Sequence, residues 1–141
     1  LRTITAINNN EKIGVFGDYD VDGATSTALL GKFFSELKIS SEIYIPDRKK
    51  EGYGPTIKSF KELIKNGVKI IFTVDCGTLS FDAINFAKDN KVDVIVLDHH
   101  QSDVKLPNAF SIVNPNRLDD NSNLQYLCAA GVSFMFLVSN K

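Results

Sequence analysis

Short apolar runs recur along the chain at intervals that suit a parallel β-sheet. Three of them are rich in Ile, Val and Phe, as strands buried on both faces are, and they lie near 13–17, 69–74 and 92–97. Less regular runs near 42–46 and 109–113 predict two further strands. The hydrophobic pattern therefore predicts about five strands.

The segments between these runs place apolar residues three and four positions apart, which is typical of helices packed on a sheet. They predict helices near 22–37, 56–66 and 80–89, and a last apolar segment predicts a helix over 131–138. Strands that alternate with helices indicate an α/β fold. We therefore predict a mostly parallel β-sheet of about five strands, flanked by helices on both faces. The phenylalanines expected in the core are Phe33, Phe34, Phe81, Phe86, Phe134 and Phe136.

Composition narrows the class of protein without fixing its function. The chain has 141 residues, of which 43% are hydrophobic, and this suits one domain over 1–141. No apolar run approaches the roughly 20 residues of a membrane span, so we expect no membrane partner. Cys76 and Cys128 form no metal-type pair, which favours reduced thiols in a cytoplasmic protein. With a net charge of −1, the chain would bind polyanions only through local patches or bound metal.

Acidic and histidine residues follow three of the predicted strands. Because ligand-binding groups in open α/β sheets collect at the carboxyl ends of the strands, these clusters should meet at one edge. The carboxylates of Asp18, Asp20 and Asp22 lie so close in sequence that they repel one another, and a divalent cation would compensate their charge. The clusters are Gly17-Asp18-Tyr19-Asp20-Val21-Asp22-Gly23, Asp75-Cys76-Gly77 and Asp98-His99-His100.

Three other interpretations treat the first cluster separately from the other two, and they explain less of the sequence than one site formed by all three clusters. A calcium loop would need a bidentate Glu where Leu29 stands, and a helix where the first strand is predicted. A phosphatase of the haloacid dehalogenase type would use Asp20 and Asp22 but would leave Asp98-His99-His100 without a role. The simplest alternative is a solvated turn in which Asp22 caps the following helix.

The order and spacing of the motifs carry a resemblance to a known family. Gly-Asp-Tyr-Asp-Val-Asp-Gly-Ala-Thr-Ser, Val-Asp-Cys-Gly and Leu-Asp-His-His resemble the DHH phosphoesterase superfamily, and within it the RecJ group of exonucleases. Later segments with Asn114-Pro115-Asn116 and Cys128 to Val132 are similar to further landmarks of that group. The resemblance implies metal-dependent phosphodiester hydrolysis, as a 5′→3′ exonuclease specific for single-stranded DNA in DNA repair and recombination. It also implies two Mn²⁺ or Mg²⁺ ions, with a helicase and a single-strand-binding protein as partners.

The same resemblance implies a role for each residue of the motifs. Asp20 and Asp22 match ligands that lean to different metal ions, and Asp75 matches the carboxylate that bridges both ions. His99 matches an imidazole ligand, and His100 matches the catalytic histidine that touches the scissile phosphate. Asp18 matches either a metal ligand or a residue that accepts hydrogen bonds from the groups around the ligands. Asp98 is expected to orient the histidines without binding metal directly.

The remaining predictions concern the residues that contact substrate and the parts of the family's architecture that this chain contains. Arg48, in the basic run 48–50, would contact the phosphate backbone or belong to a solvated loop, and Tyr53 would stack on a base or pin its loop. The family has a further metal-binding aspartate beyond 131–141, and a second domain. We find neither here, so we expect a domain truncated at its C-terminal end, with weak metal binding and little nuclease activity. The alternatives are a DHH hydrolase of nano-RNA, cyclic dinucleotides or pyrophosphate, and a non-catalytic DHH scaffold.

Overall fold

A single parallel sheet organises the protein, and the strand prediction is confirmed. The computed structural model describes residues 2–139. Its sheet has the order β2-β1-β3-β4-β5, and every neighbouring pair is parallel. The strands are β1 (Ile13–Phe16), β2 (Ser41–Tyr44), β3 (Ile70–Val74), β4 (Asp93–Leu97) and β5 (Ser111–Val113).

Six helices accompany the sheet within residues 2–139, two more than the sequence pattern predicted. They are α1 (Arg2–Asn8), α2 (Val21–Glu36), α3 (Arg48–Glu51), α4 (Ile57–Lys65), α5 (Phe81–Asp89) and α6 (Ala129–Ser139). The unpredicted ones are α1 and α3, which are short and carry little periodic signal. No helix in this part of the chain combines the length and apolar character needed to cross a bilayer.

Alternate residues of the strands face two separate cores. Ile13 and Val15 of β1 belong to one core, which is covered by α1, α2 and α6, whereas Phe16 belongs to the other, which is covered by α4 and α5. The period of two along each strand thus distributes the sheet's apolar side chains over both faces. Helices on both faces were predicted, and the prediction is confirmed. Phe134 was expected in the core but is 55% exposed, because it lies on the outer side of α6.

The strand order creates a crevice beside β1. The chain runs from β1 to its neighbour β2 and then crosses to the other side of β1 to form β3, so the connections diverge between β1 and β3. In open α/β sheets, ligands bind outside the carboxyl ends of the strands at such a switch point. The loops after β1, β3 and β4 therefore meet at the place where the acidic motifs were expected.

Candidate metal centre

The loop after β1 begins the site with Asp18 and Asp20. Asp20 caps α2, since its side chain accepts a hydrogen bond from Gly23 N at 2.8 Å. The alternative in which Asp22 caps this helix is wrong, because α2 already begins at Val21. Asp18 is buried and accepts from Tyr19 N at 2.8 Å. A Cβ on Gly23 would lie 2.6 to 2.8 Å from Asp18 atoms, so glycine is what allows α2 to approach this carboxylate.

Asp22 connects the beginning of α2 with the beginning of α6. Its oxygens accept from Ala129 N at 2.7 Å and Ala130 N at 2.8 Å, which are the first amides of α6. An acidic side chain at these amides satisfies orphan donors and complements the helix dipole. Asp22 Oδ2 also lies 3.6 Å from His99 Nε2. The Asp22 carboxylate therefore lies beside His99 and is bonded to the first amides of α6.

Asp75, directly after β3, is a deeply buried carboxylate of the cluster. It is 1% exposed and adopts φ 60°, a left-handed conformation that is uncommon outside glycine and concentrates at functional sites. Its Oδ1 is buried without a hydrogen-bond partner among the described residues, although His99 Nε2 lies 3.2 Å away. Burial, reinforced by the negative charges of Asp22 and Asp20, raises the pKa of Asp75 to about 7. A buried carboxylate oxygen that accepts no hydrogen bond and lies near other negative charges is one that a cation would stabilise.

Two overlapping groups of side chains could each hold a metal ion. One consists of Asp18, Asp20 and Asp75, and the other of Asp75, His99 and His100; in each, the candidate ligand atoms lie within 4.8 Å of one another. Asp75 belongs to both, as expected of a bridging carboxylate. Carboxylates suit Mg²⁺ and Mn²⁺, and imidazole in the second group favours the transition metal. The side chains present therefore fit the predicted ions.

Asp98 organises the histidine pair. It is buried, and its Oδ1 lies 2.7 Å from His100 Nδ1 and accepts from His99 N at 2.7 Å. Its Oδ2 accepts from Thr78 N at 3.0 Å. Burial works to raise the pKa of Asp98, but the hydrogen bonds from Thr78 and His100 lower it. Asp98 lies in neither metal group, which agrees with an orienting role.

The charge of His100 follows from the same contacts. Burial alone would lower its pKa, but the hydrogen bond to Asp98 and the negative charges of Asp98, Asp75 and Asp18 raise it. With Nδ1 directed at the Asp98 carboxylate, Nε2 is left for another partner. His100 can therefore present a proton or a positive charge at the mouth of the site.

The predicted substrate residues lie at the rim. The Arg48 guanidinium sits over the Tyr19 ring, 5.1 Å from its centroid, and starts the short helix α3 rather than a loop. Tyr53 OH donates to Asp75 O at 2.9 Å and lies 3.2 Å from His100 Nδ1. Tyr53 thus pins its loop to the site, and its ring still lines a depression of about 590 Å³ beside His100. Residues of the segment after β3 also line this depression, namely Gly77, Thr78, Leu79 and Ser80.

Sequence reasoning did not assign roles to four residues around the site. Tyr19 supports Arg48, and Thr78 supports Asp98. Asn114 and Asn116 contact the backbone of the histidine pair. The sequence identifies Asn114-Pro115-Asn116 only as a segment that resembles the family, because its contact with the histidines depends on the pairing of β5 with β4.

Comparisons with known proteins agree with this geometry. The exonuclease RecJ of Bacillus subtilis (strain 168), specific for single-stranded DNA, is 39% identical over 129 residues, which cover 92% of this chain and 16% of that protein. A crystal structure of exonuclease RecJ bound to manganese is 33% identical with a TM-score of 0.85, over 95% of this chain and 34% of that one. RecJ of Thermus thermophilus in complex with Mg²⁺ is 25% identical with a TM-score of 0.54, over 95% of this chain and 14% of that one. The chain thus spans a minor part of each relative.

A family match covers the whole site. The DHH family, N-terminal domain, matches residues 12–141, which include every strand and all three motifs. The fold of the manganese-bound RecJ structure and the acid and histidine cluster agree with this match. The chain therefore belongs to the DHH family and carries its N-terminal domain.

Proposed function

We propose that this chain forms the metal-binding core of an exonuclease that hydrolyses single-stranded DNA from the 5′ end. The observation that carries the proposal is Asp75, which belongs to both candidate metal groups and whose buried Oδ1 has no hydrogen-bond partner among the described residues. The relatives named RecJ support the nuclease assignment. On the resemblance of the motifs, we extend the proposal to DNA repair and recombination, where a helicase and a single-strand-binding protein would supply the strand.

The proposed ligand set divides between two ions. Asp18 and Asp20 would hold one ion, His99 would hold the other, and Asp75 would serve both. Asp22, whose carboxylate faces His99, would complete the second group while remaining bonded to α6. Bound divalent metal supplies an activated water and neutralises charge on the phosphate and the leaving oxygen.

His100 would bind the phosphodiester beside these ligands. Its imidazole is held by Asp98 through Nδ1, so that Nε2 can donate a hydrogen bond to a phosphate oxygen. The carboxylates nearby raise the pKa of His100 and so favour its protonated form. This arrangement lets the side chain offset the charge of the scissile phosphate, as a substrate-contacting catalytic residue would.

The rim residues suit an extended, unpaired strand. Arg48, steadied on Tyr19, would contact a backbone phosphate, and Lys49 and Lys50 extend the basic patch of α3. Tyr53 presents an exposed ring to the depression beside His100, where a base could stack. Because the net charge of the chain is −1, we expect this local patch to make binding depend on salt concentration.

A calorimetric Mn²⁺ titration tests the metal core of the proposal. We expect wild-type protein to bind Mn²⁺, and we expect Asp75→Ala and His99→Ala to abolish or strongly weaken binding. Asp89→Ala is the matched control, because Asp89 ends α5 at the opposite edge of the sheet. Mn²⁺ binding that is equal in wild type and Asp75→Ala would overturn the proposed site.

Substrate choice is tested under single-turnover conditions with protein in excess over end-labelled DNA. We expect mononucleotide release from a 5′-phosphorylated single strand, and slower or no release from duplex DNA or cyclic dinucleotides. Because the chain spans only a minor part of each relative, slow turnover is the expected result for this chain alone. Preferential cleavage of a cyclic dinucleotide would replace the exonuclease proposal with the small-substrate alternative.

A further inference from the structure

Every backbone polar group of the His99–His100 dipeptide is bound by a side chain. Both amides donate to Asp98 Oδ1, His99 N at 2.7 Å and His100 N at 3.2 Å. The carbonyl of His100 accepts from Asn114 Nδ2 at 2.8 Å, and the carbonyl of His99 accepts from Asn116 Nδ2. A loop placed at the edge of a site would ordinarily leave such groups to water. Here they are fixed by one carboxylate and two amides.

Asn114 owes its position to the sheet. It follows β5 directly, and β5 pairs with β4, whose carboxyl end leads to the histidines. The side chain is 3% exposed, and each of its polar atoms has a partner. Nδ2 also donates to Thr78 Oγ1 at 2.9 Å, and Oδ1 accepts from Asn116 N at 2.8 Å. The loop after β5 is thereby tied to the loops after β3 and β4.

The chemistry of these contacts requires amides. A carbonyl oxygen can only accept, so its partner must donate, and an asparagine amide donates without adding charge. An aspartate of the same size would turn lone pairs toward the carbonyl. It would also add a negative charge near Asp98 and Asp75. Asn→Asp substitutions therefore test the contact with almost no change of volume.

We propose that Asn114 and Asn116 are positioning residues for the proposed reaction, an asparagine clamp that sets where the two imidazoles stand. With the backbone fixed, the His99 ring is held with Nε2 3.2 Å from Asp75 Oδ1 and 3.6 Å from Asp22 Oδ2. The imidazole then needs little rearrangement to meet an ion shared with Asp75. The inference rests on the proposed function in naming metal as the ligand, whereas the clamp itself can be tested without metal.

The first measurement follows the imidazoles directly in metal-free protein. The chain contains two histidines, so a long-range ¹H–¹⁵N spectrum reports on both rings with no crowding. We expect Asn116→Asp and Asn116→Ala to shift or broaden the His99 ring signals, because Asn116 holds the His99 carbonyl. Asn121→Asp is the matched control, since Asn121 is exposed in the same loop and undergoes the same change of charge. A role limited to loop stability would lower the unfolding midpoint and leave the ring signals of the folded protein unchanged.

The second measurement is Mn²⁺ affinity by calorimetry on the same proteins. Residues that orient a metal ligand typically contribute about 10-fold to 100-fold in affinity, and we expect a loss of that order for both Asn116 variants. The control Asn121→Asp should bind like wild type. Asn116 is only half-buried, so its variants should fold even if the buried Asn114→Asp variant does not.

The two measurements separate failure of the clamp from failure of the proposed function. Unchanged ring signals in both Asn116 variants would overturn the clamp, whatever the metal affinity. Changed ring signals with unchanged Mn²⁺ affinity would overturn the positioning role. Absence of Mn²⁺ binding in wild type would refute the proposed function, and the ring signals alone would then decide whether the clamp exists.

Discussion

Removing the Asp22 carboxylate should loosen the last helix of the domain. In Asp22→Ala, the amides of Ala129 and Ala130 lose their acceptor. Replacing a capping side chain by alanine typically costs about 0.5–2 kcal/mol. Loss of the favourable charge at the helix dipole adds about 0.3–1 kcal/mol. We therefore expect the free energy of unfolding to fall by about 1–3 kcal/mol.

Repulsion between the carboxylates of Asp22 and Asp75 opposes this loss of stability, so the unfolding experiment has to be done where that repulsion is small. The Asp22 charge helps to raise the pKa of Asp75 to about 7, so the two carboxylates repel each other once Asp75 ionises. At about pH 5.5 Asp75 holds its proton in metal-free protein, and the repulsion is nearly absent. Urea unfolding at that pH therefore isolates the capping contribution.

Two variants and two observables make the experiment decisive. Asp22→Asn keeps one acceptor oxygen and should lose about half as much stability as Asp22→Ala, while both lose Mn²⁺ affinity. Hydrogen exchange of the Ala129 and Ala130 amides should accelerate in Asp22→Ala. A loss below about 0.5 kcal/mol together with unchanged exchange at these amides would refute the capping role.

Three further predictions follow from the same contacts. In Asp75→Asn, the gain in unfolding free energy over metal-free wild type should grow from about pH 4 to about pH 7 and then level off, because in that range the carboxyl of Asp75 is ionised in unfolded wild type but still protonated in the folded protein; a gain independent of pH in urea unfolding would contradict this. Gly23→Ala should destabilise the protein by about 1–3 kcal/mol and weaken calorimetric Mn²⁺ binding, since its Cβ displaces Asp18; unchanged affinity would contradict that displacement. Phe72→Ala should lower unfolding free energy by about 3–5 kcal/mol because Phe72 is fully buried, and a loss under about 1 kcal/mol in urea would show that the core does not depend on it.

The fold and the location of the site could be predicted because both depend on local patterns. Apolar runs such as Ile70–Val74 specify buried strands, and an acidic residue directly after such a run must lie at the carboxyl edge of the sheet. Asp18, Asp20, Asp75 and His99 were therefore expected to converge, and they do. The family match covers the residues of all three motifs.

Features that depend on contacts distant in sequence escaped prediction. Helix α1 is short, and it is held by ion pairs of Arg2 with Glu11 and Asp93, each at 2.6 Å. No periodic pattern shows that Arg2 and Asp93 meet. Phe134 illustrates the converse, since the uniformly apolar segment of α6 does not show which of its faces turns outward. Helix α3 was missed because its four residues are polar and are held partly by the Asp47 cap.

Contacts between residues distant in sequence also orient the candidate metal ligands. The candidate ligands follow β1, β3 and β4 in sequence, and part of their orientation comes from later parts of the chain. Asp22 is fixed by the first amides of α6, and the histidine pair is fixed by Asn114 and Asn116 after β5. A segment ending at His100 would therefore contain these candidate ligands and Asp98, but neither the α6 amides that hold Asp22 nor the two asparagines that hold the histidine backbone. The motifs specify which atoms can bind metal, and contacts within the motifs act together with the segment from β5 to α6 to specify where those atoms lie.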